Sequence, residues 1–186
     1  MIRILLVDDH PALRAGLHTV LRTEPGLVPV GAAATAQEAQ VAIERHRPDV
    51  VIADYQLPDE DGLLLCRRIK ATEDPPRVLI YSAYAGAALA IPALVAGADG
   101  IASKTAEAGE LFEAIRLVAR GHSVLPPVSR ELLDEATAKL APDELPIFGL
   151  LMDGTSTPDI ASTLGLAPND VVERTRSIIQ KLRPQI

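Results

Sequence analysis

Five times between residues 2 and 120 a short apolar run is followed by a stretch of helical periodicity, and that alternation restricts this part of the chain to a layered α/β structure. The runs lie near 2–7, 28–33, 49–53, 77–81 and 100–103, and the helical patterns near 11–23, 35–46, 61–72, 87–96 and 106–120. The expected fold is a doubly wound, five-stranded parallel sheet. Pro25-Gly26 stops the first helix. The fourth pattern is weak, because Pro92 would remove a backbone hydrogen bond from a helix interior. Its first regular turn is expected only near Pro92, leaving 83–90 loose and the short, Ala-rich helix mobile.

With 186 residues, no Trp and two Phe, the chain has to build its core from aliphatic side chains, and its length allows one good core and a smaller second one. The single cysteine, Cys66, lies in a helical pattern and is read as a packed thiol, which fits a reducing compartment. The N-terminus runs straight into a strand without a signal-peptide pattern, and no apolar stretch reaches about 18 residues. A cytoplasmic protein with no membrane partner is expected.

Chemistry concentrates at the ends of the apolar runs. Asp8 and Asp9, Asp54, Ser82 and Lys104 each stand at or just past the end of such a run. In an open parallel sheet the ligand crevice lies outside the carboxyl ends of the strands, so these five side chains converge if the runs are parallel. Three clustered carboxylates raise one another's pKa and call for a cation, for which Mg2+, a hard ion taking carboxylate and phosphate oxygens, is the natural candidate. An ammonium and a hydroxyl complete a set suited to a phosphoryl group. Singly, each residue has a plainer reading, since acidic residues are common turn formers and a lone lysine after a strand is usually solvated. His10, His18, His46 and His122 are scattered, without zinc-ligand spacing. No Ser, His and Asp arrangement emerges.

The motifs V-D-D-H-P at 7–11, D-Y-Q-L-P-D-E-D-G at 54–62, Y-S-A at 81–83 and G-A-D-G-I-A-S-K at 97–104 resemble, in order, those of the receiver domain of two-component response regulators. The resemblance implies a flavodoxin-like receiver in which Asp54 accepts a phosphoryl group from a histidine kinase or a small phosphodonor. It further implies that Asp9, Asp54 and the Gln56 backbone carbonyl bind Mg2+ directly, with Asp8 acting through water. Ser82 and Lys104 would then grip the phosphoryl oxygens. The protein is not expected to be an enzyme in the ordinary sense, but a phosphoacceptor that catalyses its own phosphoryl transfer and dephosphorylation. An aromatic residue usual in the family three positions before the lysine is Ile101 here, which alters the expected switch. Tyr84, two residues past Ser82, either shields the acyl phosphate from water or is an exposed loop residue.

G-H-S-V-L-P-P-V at 121–128 has the Gly stop and Pro pair of a linker. The expected division is a receiver at 1–121, a linker at 122–128 and a small all-α unit at 129–186. A helix at 129–140 capped by Ser129 is followed by three helical segments, 142–154, 157–166 and 168–182, which suggest a helix-turn-helix. The frame D-G-x-S-x-x-D-I-A-x-x-L-G-L at 153–166, with Val171, Ile178, Ile179 and Leu182, resembles the output domain of LuxR-type (NarL/FixJ) regulators. That resemblance implies DNA binding and regulation of transcription, with a homodimer when phosphorylated.

The output half departs from the pattern. Ala141 stands where the family has a capping Thr, a loss of about 1 kcal/mol, and Pro146 is expected inside the first turns of the next helix, where its cost is smaller than the roughly 3 kcal/mol of an interior position. Val172 replaces the usual basic residue of the recognition helix, with Asp170 and Glu173 beside it. Arg174, Arg176, Lys181 and Arg183 remain to meet phosphates, of which the first three are the candidate DNA contacts. The family's further helix has no counterpart before Ile186, so the domain is expected to be short. Residues 129–186 hold 6 Lys+Arg against 9 Asp+Glu, an awkward balance for a nucleic-acid binder. Three readings follow: a phosphorylation-controlled transcription factor, a phosphorylation-controlled protein-protein or dimerisation module with a degenerate DNA-binding domain, and a phosphate sink without output.

Overall fold

The computed structural model describes residues 1–184. Strands β1 (Ile2–Val7), β2 (Leu27–Ala33), β3 (Val50–Asp54), β4 (Arg77–Ser82) and β5 (Gly100–Ser103) alternate with helices α1 (Pro11–Thr23), α2 (Ala36–His46), α3 (Gly62–Lys70), α4 (Ala90–Ala96) and α5 (Ala108–Ala119). All pairings are parallel, in the order β2-β1-β3-β4-β5. The order reverses between β1 and β3, so a crevice opens at their carboxyl ends. β2 is an edge strand and tolerates Pro29 there, with a register shift between Ile4 and Leu5 that skips Val30.

Alternate residues of β1 serve the two faces of the sheet. Ile4 and Leu6 pack with Leu21 of α1 and Leu111, Ile115 and Val118 of α5. Leu5 and Val7 pack on the other side with Ala36 and Ala39 of α2, Leu63 and Leu65 of α3 and Ile91 of α4. Four helices follow: α6 (Arg130–Thr137), α7 (Leu145–Met152), α8 (Thr157–Leu164) and α9 (Pro168–Leu182). Ser129 caps α6 by accepting the Leu132 N–H at 3.3 Å, and Ser156 caps α8 by accepting that of Asp159.

The fourth helix starts late, as expected, but it is buried where a loose element is expected. A single 3-10 turn spans Ala87–Leu89 and the α-helix starts at Ala90, so Pro92 falls in the first turn, where its missing N–H has no partner to lose. Six of its seven residues are buried, because α4 packs against α3 on one side and against α6, α7 and α9 on the other. Ile91, Ala93 and Val95 share one continuous apolar cluster with Ile147, Phe148, Ile178, Ile179 and Leu182. Fully burying a side chain of this kind contributes about 1.5–3 kcal/mol, so the packing anchors this helix.

Two other local expectations change. The segment 121–128 is not a plain extended tether: Val124 N–H donates to Asp99 O at 2.8 Å and Ile101 N–H donates to Val124 O at 2.9 Å, adding a one-residue bridge to β5. Gly100 permits this approach, since a Cβ there would lie 2.9 Å from Leu79 Cδ1 and 3.0 Å from Val124 Cβ. Gly100→Ala is expected to lift Val124 off the sheet, costing about 1–2 kcal/mol. Faster amide exchange at Ile101 and Val124, with α1 unaffected, is the signature to measure. Residues 142–144 form a turn and α7 begins at Leu145, three residues later than expected, while Pro146 lies in the first helical turn as expected, where its cost is small. No side-chain cap is made to α7; the Glu144 carboxylate accepts the Ala141 N–H ahead of it at 2.8 Å, the other half of a capping box.

Candidate functional site

Asp8 follows β1 directly and Asp54 closes β3, which places both carboxylates at the crevice where the strand order reverses. They are 2% and 5% exposed, although both are acids. What permits this burial is Lys104, one residue past β5, whose Nζ lies 2.7 Å from Asp8 Oδ2 and 2.8 Å from Asp54 Oδ2. Its backbone N–H donates to Ser82 O at 2.9 Å, which ties the end of β5 to that of β4. Burial pushes the Asp54 carboxyl above the usual range; the Lys104 ammonium opposes this, and the Asp8 charge adds to it. Burial alone would lower the Lys104 pKa, but the two carboxylates outweigh it and raise it.

Of the residues singled out from sequence, Asp8, Asp9, Asp54 and Lys104 are gathered in this crevice. Gln56 N–H donates to Asp54 Oδ1 at 3.3 Å, so the chain turns back over the acid immediately after β3. Ser82 ends β4 next to Tyr81, the register partner of Asp54, and is buried; its Oγ accepts the Tyr84 N–H at 3.0 Å. The Tyr84 side chain is 59% exposed, and Ile101 is buried in β5 opposite Ile80.

Sequence reading set His10 aside as one of four scattered histidines, yet its Nδ1 is 2.6 Å from Asp9 Oδ1 and 3.3 Å from Asp8 Oδ1. One donor atom each from Asp8, Asp9, His10 and Asp54 fall within 4.8 Å of one another. Such a cluster can hold a metal ion, and three carboxylates beside one another are the donor set a hard divalent cation takes. The signal for His10 was its adjacency to the Asp pair.

The segment after Asp54 is held at every acid. Asp59 accepts the Ala36 and Gln37 N–H groups at the start of α2. Burial raises its pKa but these N–H groups win and hold it below the usual range. Glu60 pairs with Arg68. Asp61 caps α3 by accepting the Leu63 N–H at 2.7 Å and also accepts Arg183 Nη1 from just beyond α9 at 3.1 Å. Gly62 then passes so close to β3 that a Cβ would lie 2.0 Å from Asp54 O. Tyr55, buried beside Asp61, has its hydroxyl pKa pushed up to about 12 by burial first and that carboxylate second.

The cations of α9 are largely engaged. Lys181 Nζ donates to both Glu144 oxygens at 2.7 Å, and Arg174 lies 3.5 Å from Asp143. Arg176 contributes a positive potential at Glu60 of the receiver half. Val172, on the same helix, is 49% exposed. Cys66 is buried, its thiol pKa pushed up to about 12 by burial, as befits a packed side chain.

The response regulator receiver domain family matches residues 4–116, and the chain belongs to that family. Its relatives are response regulators of the NarL and LuxR type. The DNA-binding transcriptional activator DevR/DosR of Mycobacterium tuberculosis is 31% identical over 98% of this chain and 88% of its own length. The transcriptional activator protein ExaE of Pseudomonas putida is 32% identical over 97% and 89%. Among solved structures, a LuxR-family two-component response regulator from Aurantimonas sp. SI85-9A1 is 34% identical with a TM-score of 0.65, covering 74% of this chain and 99% of that one. Among the described residues no helix is long and apolar enough to cross a membrane.

Proposed function

We propose that the chain is a phosphorylation-controlled transcription regulator, in which Asp54 of a receiver (1–121) is the phosphoacceptor and a helix-turn-helix unit (129–186), joined through 122–128, binds DNA. The observation that carries it is the Lys104 ammonium bridging the buried Asp8 and Asp54 carboxylates at the strand-order switch. An Asp54 oxygen attacks phosphorus, the bond from phosphorus to the donor breaks, and its electron pair leaves with the histidine kinase imidazole or with the carboxylate of a small acyl phosphate. The attacking group is an anion, so no base has to remove a proton. Lys104 follows the transferring oxygens, and Ser82 offers its hydroxyl to one of them.

Asp8, Asp9, Asp54 and the Gln56 carbonyl would hold Mg2+, which supplies charge neutralisation for the phosphoryl oxygens. Tyr84 and Ile101 are the positions at which the lifetime and readout of the phosphorylated form are set. Homodimerisation on phosphorylation, a histidine kinase partner and a cytoplasmic location of the chain belong to the same reading.

DNA contact is assigned to α9 through Arg174, Arg176 and Lys181, supported by the DNA-binding activator named among the relatives. With α9 packed on α4, Arg174 and Lys181 are occupied by Asp143 and Glu144. Phosphorylation would have to separate them. A second reading, an output unit that binds protein, is favoured by the exposed Val172 and by the Lys181 pair with Glu144.

An acyl phosphate with Mg2+ should add one phosphoryl group to the intact protein by mass, and none to Asp54→Asn. Equal uptake by the variant would reject Asp54 as acceptor. On the same preparations, duplex affinity should rise with phosphorylation and fall steeply with salt. No duplex binding at low salt, with phosphorylation intact, would shift the output reading to protein.

A further inference from the structure

A cleft of about 880 Å3 lies at the opposite end of the receiver sheet from Asp54, where the receiver meets the output helices. That is within the size of pockets that take small organic ligands. Its receiver wall comes from the end of α3 (Arg67, Lys70), the first residue of β4 (Arg77) and Asp99, just before β5. Its output wall includes Met152 of α7, Thr157 of α8 and Val172 of α9. The charges on these walls do not balance. Of the three cations of α3, Arg68 pairs with Glu60 at 2.7 Å and Lys70 with Asp99 at 2.5 Å. Arg67 has no carboxylate partner among the described residues; its Nη2 donates to the neutral Thr157 Oγ1 at 2.5 Å. Burial lowers the pKa of this guanidinium, and no carboxylate opposes the shift. Asp99 is itself shared, since Arg77 Nη1 also reaches it at 3.0 Å. Asp153, the other acid on the cleft, is exposed. A guanidinium taken partly out of water without a counterion is costly, and a bound anion removes that cost.

The rest of the lining decides what the anion carries. Leu94, Leu125, Met152 and Val172 give the cleft an aliphatic side, and no Phe, Tyr or Trp among the described residues lines it. A flat aromatic ligand would find no ring to stack on, whereas an alkyl chain is matched by these side chains. We propose that this cleft is a ligand site for an aliphatic monocarboxylate, its head on the remaining donors of Arg67 and its chain along the aliphatic side. The planar guanidinium donates two parallel hydrogen bonds to a carboxylate, a geometry that a hydroxyl partner such as Thr157 does not use up. Because both halves of the molecule line the cleft, the bound acid stabilises their packed arrangement by mass action.

The test uses the full chain with octanoate as the probe and 1-octanol as its uncharged counterpart. Calorimetric titration should show octanoate saturating one site, with 1-octanol bound about tenfold more weakly or less. Arg67→Gln keeps a donor for Thr157 but removes the charge, and should weaken octanoate about tenfold. Its phosphoryl uptake from an acyl phosphate should be unchanged, because the cleft and Asp54 lie at opposite ends of the sheet. Val172 is 49% exposed, so Val172→Asp leaves the core intact and should lower octanoate affinity by a similar factor through like-charge repulsion. Octanoate should also raise the thermal midpoint of the unaltered protein more than that of either variant. Absence of saturable octanoate binding, or equal affinity in all three proteins, would overturn the site. Equal affinity for 1-octanol would overturn the anion recognition assigned to Arg67.

Discussion

Replacing Gly62 by alanine is expected to cost the chain about 3 kcal/mol of stability and to remove most of its phosphoryl uptake together. The added Cβ would sit 2.0 Å from Asp54 O and 3.1 Å from Tyr55 Cα. Both are backbone atoms, which cannot swing aside as a side chain can. Either β3 is displaced at its last residue or α3 is pushed away at its first. The first moves the Asp54 carboxylate away from Lys104; the second breaks the Gly62 N–H bond to Tyr55 O and the Asp61 cap. Urea unfolding gives the stability, and phosphorylation by an acyl phosphate gives the site geometry. A Gly62→Ala protein within about 0.5 kcal/mol of the original, with normal uptake, would show that the close approach relaxes without consequence.

The second large effect lies in the output half. Lys181→Met should destabilise the protein by about 2–3 kcal/mol near neutral pH, by leaving the Glu144 carboxylate buried with only Ser177 Oγ and the Ala141 N–H as donors. Glu144 is 4% exposed. The partly exposed Lys181 end of the pair argues for the lower part of the range for such breaks. Burial pushes the Glu144 carboxyl up, but Lys181, the Ala141 N–H and Ser177 together pull it below the ordinary glutamate range. With the folded pKa below the unfolded one, the stabilisation is present above the unfolded value and disappears as pH falls through the folded one. In the variant burial is no longer opposed by the ammonium, so Glu144 takes up a proton more readily. The gap between the two proteins should therefore shrink as pH is lowered from about 7 to 4. A gap that stays constant over that interval would mean that the pair is not its source.

Much of the receiver half was legible because its signals are local. Strand-sized apolar runs, helical periodicity and the acids at the strand ends specify the order of elements, and a parallel sheet then brings distant chain ends into one crevice. The positions of Asp8, Asp9, Asp54 and Lys104 followed. What could not be read is what depends on contacts between distant segments. Pro92 argued for a late helix start, and the α-helix begins only at Ala90; what the local pattern did not carry is its burial by α6, α7 and α9 from outside the receiver sheet. The turn at 142–144 moves the start of α7 to Leu145, and Pro146 falls in its first turn, as its position near the expected helix start suggested. His10 was overlooked for a related reason: it has no ligand spacing to another histidine, and its neighbours in the crevice are the two preceding acids and one at the end of a different strand.

The burial of α4 from two sides has a consequence for how such chains are cut and recombined. A chimera joined within 122–128, carrying the helices of another regulator, would meet Ile91, Ala93 and Val95 with a surface they were not shaped for. The seam that preserves packing runs through the interior, around α4, and the exchangeable part is α6–α9 together with the residues of α4 that touch it. Modularity in this molecule is a property of its gene order; its interior is jointly owned.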